Sequence, residues 1–484
     1  MPEISSVSSY PRNHSYNLAP INTLPPEILI RIFHLVLAQP CNLHLLVSNG
    51  EKYYSRCPDY LAQVCALWRR IVVPSCSLWC HIDLSLYYPC SEALVARAGA
   101  HAARAGELPL ELHIAVDDNR SSEYNKILPL ILRIAARVES LEFVLTGGFL
   151  GFHRRLFNLL LGQRPILTKL GIRSNGNYSN NFIVPDSYDR TRLEGHFWPL
   201  KLDSSEDELE SSFAPLTVLH LRGVFPLWWS TAYHGLVDLR LMSTDKWSQI
   251  KEIELMTILM SSPGLRILHF GLAISHKTHT TTEVTPVYLQ DLQVVKIFPD
   301  SAGGKNLLPD DVLRLLAPGA KPLRLSFADY YITDPFLVME LEQFFAQSRV
   351  TRFYTRAVFP PLSTLLRYSA QLEQVVLDDF ASNSCDILPC PWVNVDGLAS
   401  LPRLRSLHIT RSALFERELR LLLECCPDGI VLNSCNVDHD NDNGRPALTT
   451  LTTMELSELF PTVRTTSHIL YPSEDPTADW DILD

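Results

Sequence analysis

The sequence lacks any apolar run of the length a membrane helix needs; the nearest, Phe143 to Leu161, is broken by Thr146, Gly147, Gly148, His153, Arg154 and Arg155. Its first twenty residues, MPEISSVSSYPRNHSYNLAP, hold no cationic start followed by an apolar stretch, so they do not read as a secretory signal. Positive charge is in deficit. There are 42 Lys and Arg against 53 Asp and Glu, and the formal net charge of −11 works against non-specific binding to nucleic acid or an anionic membrane. The G-x-S-x-G, P-loop and H-E-x-x-H patterns do not occur. Neither does a complete metal site: Cys76-x-x-x-Cys80-His81 has no second ligand pair at finger spacing. Asp438-x-Asp440-x-Asp442 is followed by Asn443 and Thr449 where a calcium loop needs Gly and Glu, and reads as a polar turn. These absences leave the expectation of a non-catalytic chain of the cytoplasm or nucleus, without cofactor, metal, nucleic acid or membrane. Its eleven cysteines are expected to stay reduced, several of them, such as Cys65, Cys425 and Cys426, acting as small hydrophobes.

What is present is core material. With 46% hydrophobic residues, 20% charged residues and eight Trp over 484 positions, the composition is that of a folded chain. The length fits about three ordinary domains, or one long repeat array with a small appendage.

The stretch Leu24 to Phe33, LPPEILIRIF, predicts a helix start. Pro25 and Pro26 suit a first turn, and Glu27 sits near the positive end of the helix dipole. Ile28, Ile32 and Val36 make one i, i+4 row, Leu29, Phe33 and Leu37 the adjacent one, with Arg31 and His34 outside the stripe. Leu61, Val64, Cys65, Trp68, Ile71 and Val72 predict a second amphipathic helix with Arg69 and Arg70 on its polar side, and Pro74 then interrupts it. Ser75 to Trp79 adds a short third element. Three short helices make a core near the lower size limit, so docking on another protein is physically reasonable.

In order, Leu24-Pro25-x-Glu27-Ile28-Leu29-x-x-Ile32-Phe33, Val64-Cys65-x-x-Trp68-Arg69 and Leu78-Trp79 resemble an F-box. The resemblance covers residues 21–84 and departs from the family in one place, the long connection Gln39 to Pro58, which is expected to loop out. It implies a Skp-family adaptor as partner and, through it, cullin and RING subunits that bring a ubiquitin-charged E2 enzyme. It also implies that Leu24, Pro25, Ile28, Leu29, Ile32, Val64, Cys65, Trp68 and Trp79 pack the module and contact the adaptor.

From about Leu108 a different pattern recurs, three apolar residues spaced L-x-x-L-x-L. It appears at Val138–Phe143, Leu167–Ile172, Leu216–Leu221, Leu236–Leu241, Leu265–Phe270, Leu292–Ile297, Leu372–Leu377 and Leu404–Ile409. Central residues at 141, 170, 219, 239, 268 and 295 give intervals of 29, 49, 20, 29 and 27, all but one in or near the leucine-rich-repeat range. Each unit offers a short strand whose apolar face only a stacked neighbour can bury, which predicts a curved solenoid with a parallel sheet on its concave side. Ile253, Met256, Leu259 and Met260, and Leu313, Leu315 and Leu316, have helical spacing between strands. The repeats are degenerate, with few Asn or Cys at the turn position, so the pattern resembles leucine-rich repeats, and a non-repetitive α/β fold stays open.

The expected fold class is therefore α/β. A small all-helical F-box at 21–84 follows a disordered N-terminus at 1–20 and precedes a degenerate leucine-rich-repeat-like domain at 105–460. The interval of 49 holds an Asn-, Asp- and Ser-rich insertion at 174–212, expected to be mobile, with the acidic run Asp203–Glu210 as a solvated loop. After Arg464 there is no Lys or Arg, and 465–484 reads as an acidic tail, disordered or docked through Trp480 and Ile482.

If the strands run as proposed, His220, Arg222, Arg240, His269, Arg324, Tyr354, Arg356 and His408 point to the concave face and make it basic and aromatic, unless the register slips by one residue. On a chain of net −11 such a face suits an unknown protein substrate with an acidic or phosphorylated segment. The expected function is substrate recognition in a Skp–cullin–F-box ubiquitin ligase. The alternatives are a non-ligase scaffold with the same modules and, furthest from the sequence, a hydrolase or transferase.

Overall fold

A computed structural model of the chain describes residues 20–37, 58–85, 91–116, 126–145, 151–162, 166–174, 181–189, 198–244, 248–276, 285–298, 307–330, 335–357, 362–379, 404–427, 429–440, 446–466 and 475–483. The expected disorder of residues 1–19 and most of the connection after Gln39 lie outside these residues. The described residues form a mixed α/β structure in two compact units, Met1–His113 and Ile114–Asp484. No helix among them is long and apolar enough to cross a membrane.

The first unit opens with a 3-10 turn, Pro20–Thr23, and helix α1, Pro26–Leu37. The Pro25 carbonyl accepts from the amides of Ile28 and Leu29, each at 3.1 Å, so the two prolines sit where a missing N–H costs nothing. Leu29 and Phe33 are buried, and the Phe33 ring meets that of Trp68 at 4.7 Å. The adjacent row stays out, with Ile28 47% and Val36 45% exposed.

The second expected helix is in fact two, α2 at Pro58–Val64 and α3 at Ala66–Val72. Cys65 breaks the run: its backbone is extended, and its sulfur accepts from the Trp68 amide at 3.4 Å, capping α3. A 3-10 turn, Cys76–Trp79, buries Trp79, whose indole N–H donates to the Val72 carbonyl at 2.9 Å. Strand β1, His81–Ser85, helix α4, Ser91–Arg104, and strand β2, Leu110–Val116, follow, β2 running through the division between units. His101 near the end of α4 lies 2.8 Å from Asp59 of α2 and edge-on to Trp79 at 5.0 Å, which ties the strand-linked part of the unit to its helices.

In the second unit, the strands of the large sheet lie side by side in chain order. They are β3 Val138–Leu145, β4 Lys169–Ser174, β5 Val218–Arg222, β6 Asp238–Met242, β7 Ile267–Gly271, β8 Val294–Ile297, β9 Leu323–Tyr330, β10 Val350–Ala357, β11 Gln374–Asp378, β12 Ser406–Thr410, β13 Ile430–Asn433 and β14 Arg464–Thr466. From β3 to β14 the pairing is parallel.

One register row carries the core. Leu141, Leu170, Leu219, Leu239, Leu268, Val295, Leu325, Phe353, Val375, Leu407 and Ile430 are paired in turn across the sheet, and all are fully buried. The first apolar residue of most recurring units, for example Leu216, Leu236 and Leu265, sits just ahead of its strand and is buried too; Val138 is buried and opens its strand. Burying each such side chain is worth roughly 1.5–3 kcal/mol, and no strand achieves it without its neighbours.

Between strands the chain returns through helices such as Glu252–Ser261, which buries Leu255, Ile258 and Leu259 but leaves Ile253 and Met260 exposed. The expected helical run through Leu316 stops at Leu313, and Leu316–Pro318 is a short strand paired with Val287–Leu289. Within 174–212, Asn181–Pro185 and Trp198–Leu202 pair in parallel. The acidic run read as a loop is largely helix, Glu206–Phe213, because Ser205 and Glu208 form a reciprocal capping box and three acids occupy its first turn. Asp438 and Asp440, read as a polar turn, lie in strand Asn436–Asp440, where Asp438 accepts from the Thr450 hydroxyl at 2.8 Å.

The core row makes a direct prediction. Leu268→Ala should cost roughly 2–5 kcal/mol in urea unfolding of the second unit, whereas Ile253→Ala on an exposed helix face should cost less than about 0.5 kcal/mol. Equal effects at the two positions would contradict the assigned core.

Candidate functional site

Strand side chains alternate between faces, so the residues on either side of the core row all go to the opposite face. Glu142, Gly171, His220, Arg240, His269, Lys296, Ser326, Tyr354, Val376, His408 and Val431 are paired in turn as one row there. His220, Arg240, His269, Tyr354 and His408, expected from sequence, are thus neighbours in a single row. Arg324 lies in the row before and Arg222 and Arg356 in the row after, on the same face. The register shifts by one residue twice between β9 and β10, at Leu323/Arg324 and again between Phe327 and Tyr330; between the two shifts Ser326 stays beside Tyr354 and the row is unbroken.

This face supplies acids of its own. Arg240 grips Asp238 of the same strand with two bonds, Nε to Oδ1 at 3.0 Å and Nη2 to Oδ2 at 2.9 Å, and His220 Nε2 lies 3.0 Å from Asp238 Oδ2. At the other end Asp378 is buried and accepts from Tyr354 Oη at 2.8 Å, Thr410 Oγ1 at 2.7 Å and the Arg411 guanidinium. Arg356 donates to Asp379 at 2.9 Å. Arg222 makes no ion pair among the described residues, and Arg173 and Arg240 are its cationic neighbours.

The centre of the face is covered by the chain's own C-terminal segment, a 3-10 turn at Ala478–Asp481. Asp481 takes Arg240 Nη1 at 2.8 Å on one oxygen, and His269 Nε2 at 3.0 Å and Lys296 Nζ at 3.2 Å on the other. Lys296 also donates to Asp475 at 3.0 Å and to the Thr477 carbonyl at 2.9 Å, and is only 1% exposed. Arg324 donates to the carbonyls of Trp480 and Ile482 at 2.6 and 2.9 Å. Trp480, 2% exposed, packs in one cluster with Tyr354 and Val376. Of the two docking residues considered from sequence, Trp480 is buried and Ile482 remains exposed. Lys296 was missed, though its place between Val295 and Ile297 is the place of Arg240 and His269 in their own repeats.

Titration follows from burial and these pairs. Burial raises the Asp481 carboxyl, but His269, Lys296 and Arg240 outweigh it and hold the group well below the ordinary carboxylate range. Asp238 behaves in the same way through His220 and Arg240. Burial pushes His269 down to about 4, against the opposing pull of Asp481, so it is neutral at pH 7. Burial also lowers His220 and His408 and raises the Tyr354 hydroxyl, the last reinforced by Asp378.

In the first unit the expected adaptor residues separate by exposure. Leu29 and Trp79 are buried and serve packing; Ile32, Cys65 and Trp68 are half-buried; Leu24, Pro25, Ile28 and Val64 face out, Val64 at 59% exposure. The Trp68 indole N–H donates to Asn22 at 3.0 Å, holding the segment ahead of α1 against α3. His81, Asp83 and His113 bring three metal-capable atoms within 4.8 Å of one another. Both ring nitrogens of His81 face carboxylates, Asp83 at 2.9 Å and Glu111 at 3.3 Å, and His113 Nδ1 lies 3.8 Å from the same Asp83 oxygen. The Cys76 thiol donates to the Pro74 carbonyl at 3.8 Å and the Cys80 thiol to the Cys76 carbonyl at 3.6 Å.

No family model matches the chain, and no curated protein matches it at a meaningful level.

The buried histidines set a pH dependence. His153 is fully buried and, like His269, pushed down to about 4. The folded form therefore binds fewer protons than the unfolded form between about pH 4 and 6.5, and stability falls as pH drops through that window. Asp481, depressed in the folded state, adds a further loss below about pH 4. Urea midpoints of the second unit should decline steadily from pH 7 to 4.5, and His153→Gln should flatten part of that slope; a level profile would contradict the assigned burial.

Proposed function

We propose that this chain is a substrate receptor of a Skp–cullin–F-box ubiquitin ligase, with an F-box in the first unit and a degenerate leucine-rich-repeat-like solenoid in the second. The observation that carries the reading is the division of labour on α1. Leu29 and Phe33 are buried, Phe33 against Trp68, while Ile28 and Val36 on α1, Leu24 just ahead of it and Val64 on α2 stay exposed. A small helical module that leaves such a row in water has a surface for a partner helix. The solenoid reading draws on the sheet order, in which every strand follows its predecessor in the chain, and on the apolar row that runs from β3 to β13.

On this reading the chain breaks and forms no bonds. The first unit holds a Skp-family adaptor, the polar face of the second holds a protein substrate, and catalysis comes from raising the local concentration of substrate lysines at the E2 thioester. Of the residues expected at the adaptor, Ile28 is the best probe, because it is exposed and contributes nothing to the Phe33–Trp68 contact.

Ile28→Asp should lower co-purification with a Skp-family adaptor at least ten-fold and leave the thermal unfolding of the chain unchanged. Full retention of the adaptor would remove the basis of the assignment. Adaptor binding without cullin or ubiquitinated products would favour a non-ligase scaffold.

A further inference from the structure

The C-terminal segment on the polar face has the character of a bound ligand. It places one aromatic ring, Trp480, in the slot formed with Tyr354 and Val376, and one carboxylate, Asp481, on three cationic or donor groups from three successive strands. Its backbone is read as well, through Arg324 and Lys296. The segment also has internal bonds: Asp475 accepts from the amide and hydroxyl of Thr477 at 2.8 and 2.7 Å, and the turn from Ala478 to Asp481 carries its own backbone bonds.

Lys296 limits what else this face can hold. An ammonium as deeply buried as this one needs an anion, since removing one partner of a buried pair leaves an uncompensated charge. When Asp475 and Asp481 leave, another carboxylate or phosphate-bearing group has to arrive or the site has to flood. Arg222, in the next register row and one strand before Arg240, lies beyond the groups that Asp481 engages. An incoming segment with a further acidic residue could therefore make a contact that the tail does not.

We propose that Asp475–Ile482 is an internal occupant of a docking site for a partner's acidic segment, one with an aromatic residue between carboxylates, and that the tail must lift away before that partner binds. The proposal rests on reading the polar face as the substrate-binding face. Covalent attachment gives the tail a high effective concentration, so a partner presented in solution competes at a disadvantage until the tail is released.

The test uses the full chain with a site-specific protease sequence inserted between Thr466 and Asp475, so that folding precedes cleavage. The probe is a fluorescein-labelled peptide of this chain's own residues Glu474 to Asp484. After cleavage and removal of the freed tail, the cut chain should bind the probe at least ten-fold more tightly than the uncut chain. Probes carrying Trp480→Ala or Asp481→Asn should lose at least ten-fold. Equal binding to cut and uncut chains would place the peptide elsewhere and overturn the proposal. So would a cut chain that keeps its circular dichroism and binds nothing, a cut chain that unfolds because the tail is part of its core, or variant probes that bind as well as the original. Adaptor binding does not enter this comparison: a chain that fails the adaptor assay and passes this one keeps its docking site, and the reverse result removes the docking site alone.

Discussion

Neighbouring parallel strands stand about 4.8 Å apart and send alternate side chains to opposite faces. A row of apolar residues from Leu141 to Ile430 uses that alternation to fix the register of the second unit, since a slip of one residue would turn every member of the row out of the core. The opposite face inherits its composition from this constraint. His220, Arg240, His269 and Lys296 fall on four successive strands in one row, with no sequence proximity to account for their meeting. Arg240 and Lys296 are the cations among them, the two histidines being held neutral by burial, and both cations are met by acids that reach the face.

Two sources of acid serve this face. Asp238 and Asp378 come from the sheet itself and clamp the two ends of the row. Asp475 and Asp481 come from the end of the chain and serve the centre. The two sources differ in place: Asp238 and Asp378 belong to strands of the sheet, whereas Asp475 and Asp481 belong to a separate segment laid over it. A net charge of −11 is thus compatible with a row of basic residues on one face, because register gathers them there.

Much of this was legible in the sequence where period and spacing decide the outcome. The L-x-x-L-x-L units mark the strands, their central residues mark the core row, and the eight polar-face residues from His220 to His408 follow from alternation. The two rows on α1 were equally legible, although spacing does not say which row is buried; the tilted contact of Phe33 with Trp68 decides that. Local side-chain chemistry hid the rest. Cys65 caps a helix with its sulfur and so divides an apparently continuous amphipathic run, and Ser205 with Glu208 turns an acidic stretch into helix. Docking of the tail through Trp480 was one of the two readings the sequence offered, but where it docks was not legible because its partners are remote: Arg240 and Asp481 are separated by 241 residues, and no periodic pattern joins them.

The two units follow one physical logic, an apolar row that closes the core beside a row left for something else. On α1 the second row is apolar, with Ile28 and Val36 exposed; on the large sheet it is polar and met by the C-terminal segment. The central claim is that the Asp481 carboxylate compensates the cations of the sheet. It is tested most directly by a double-mutant cycle on unfolding free energy with Arg240→Gln and Asp481→Asn. Coupling of more than about 1 kcal/mol between the two substitutions is the predicted result, and additivity within about 0.5 kcal/mol would contradict it.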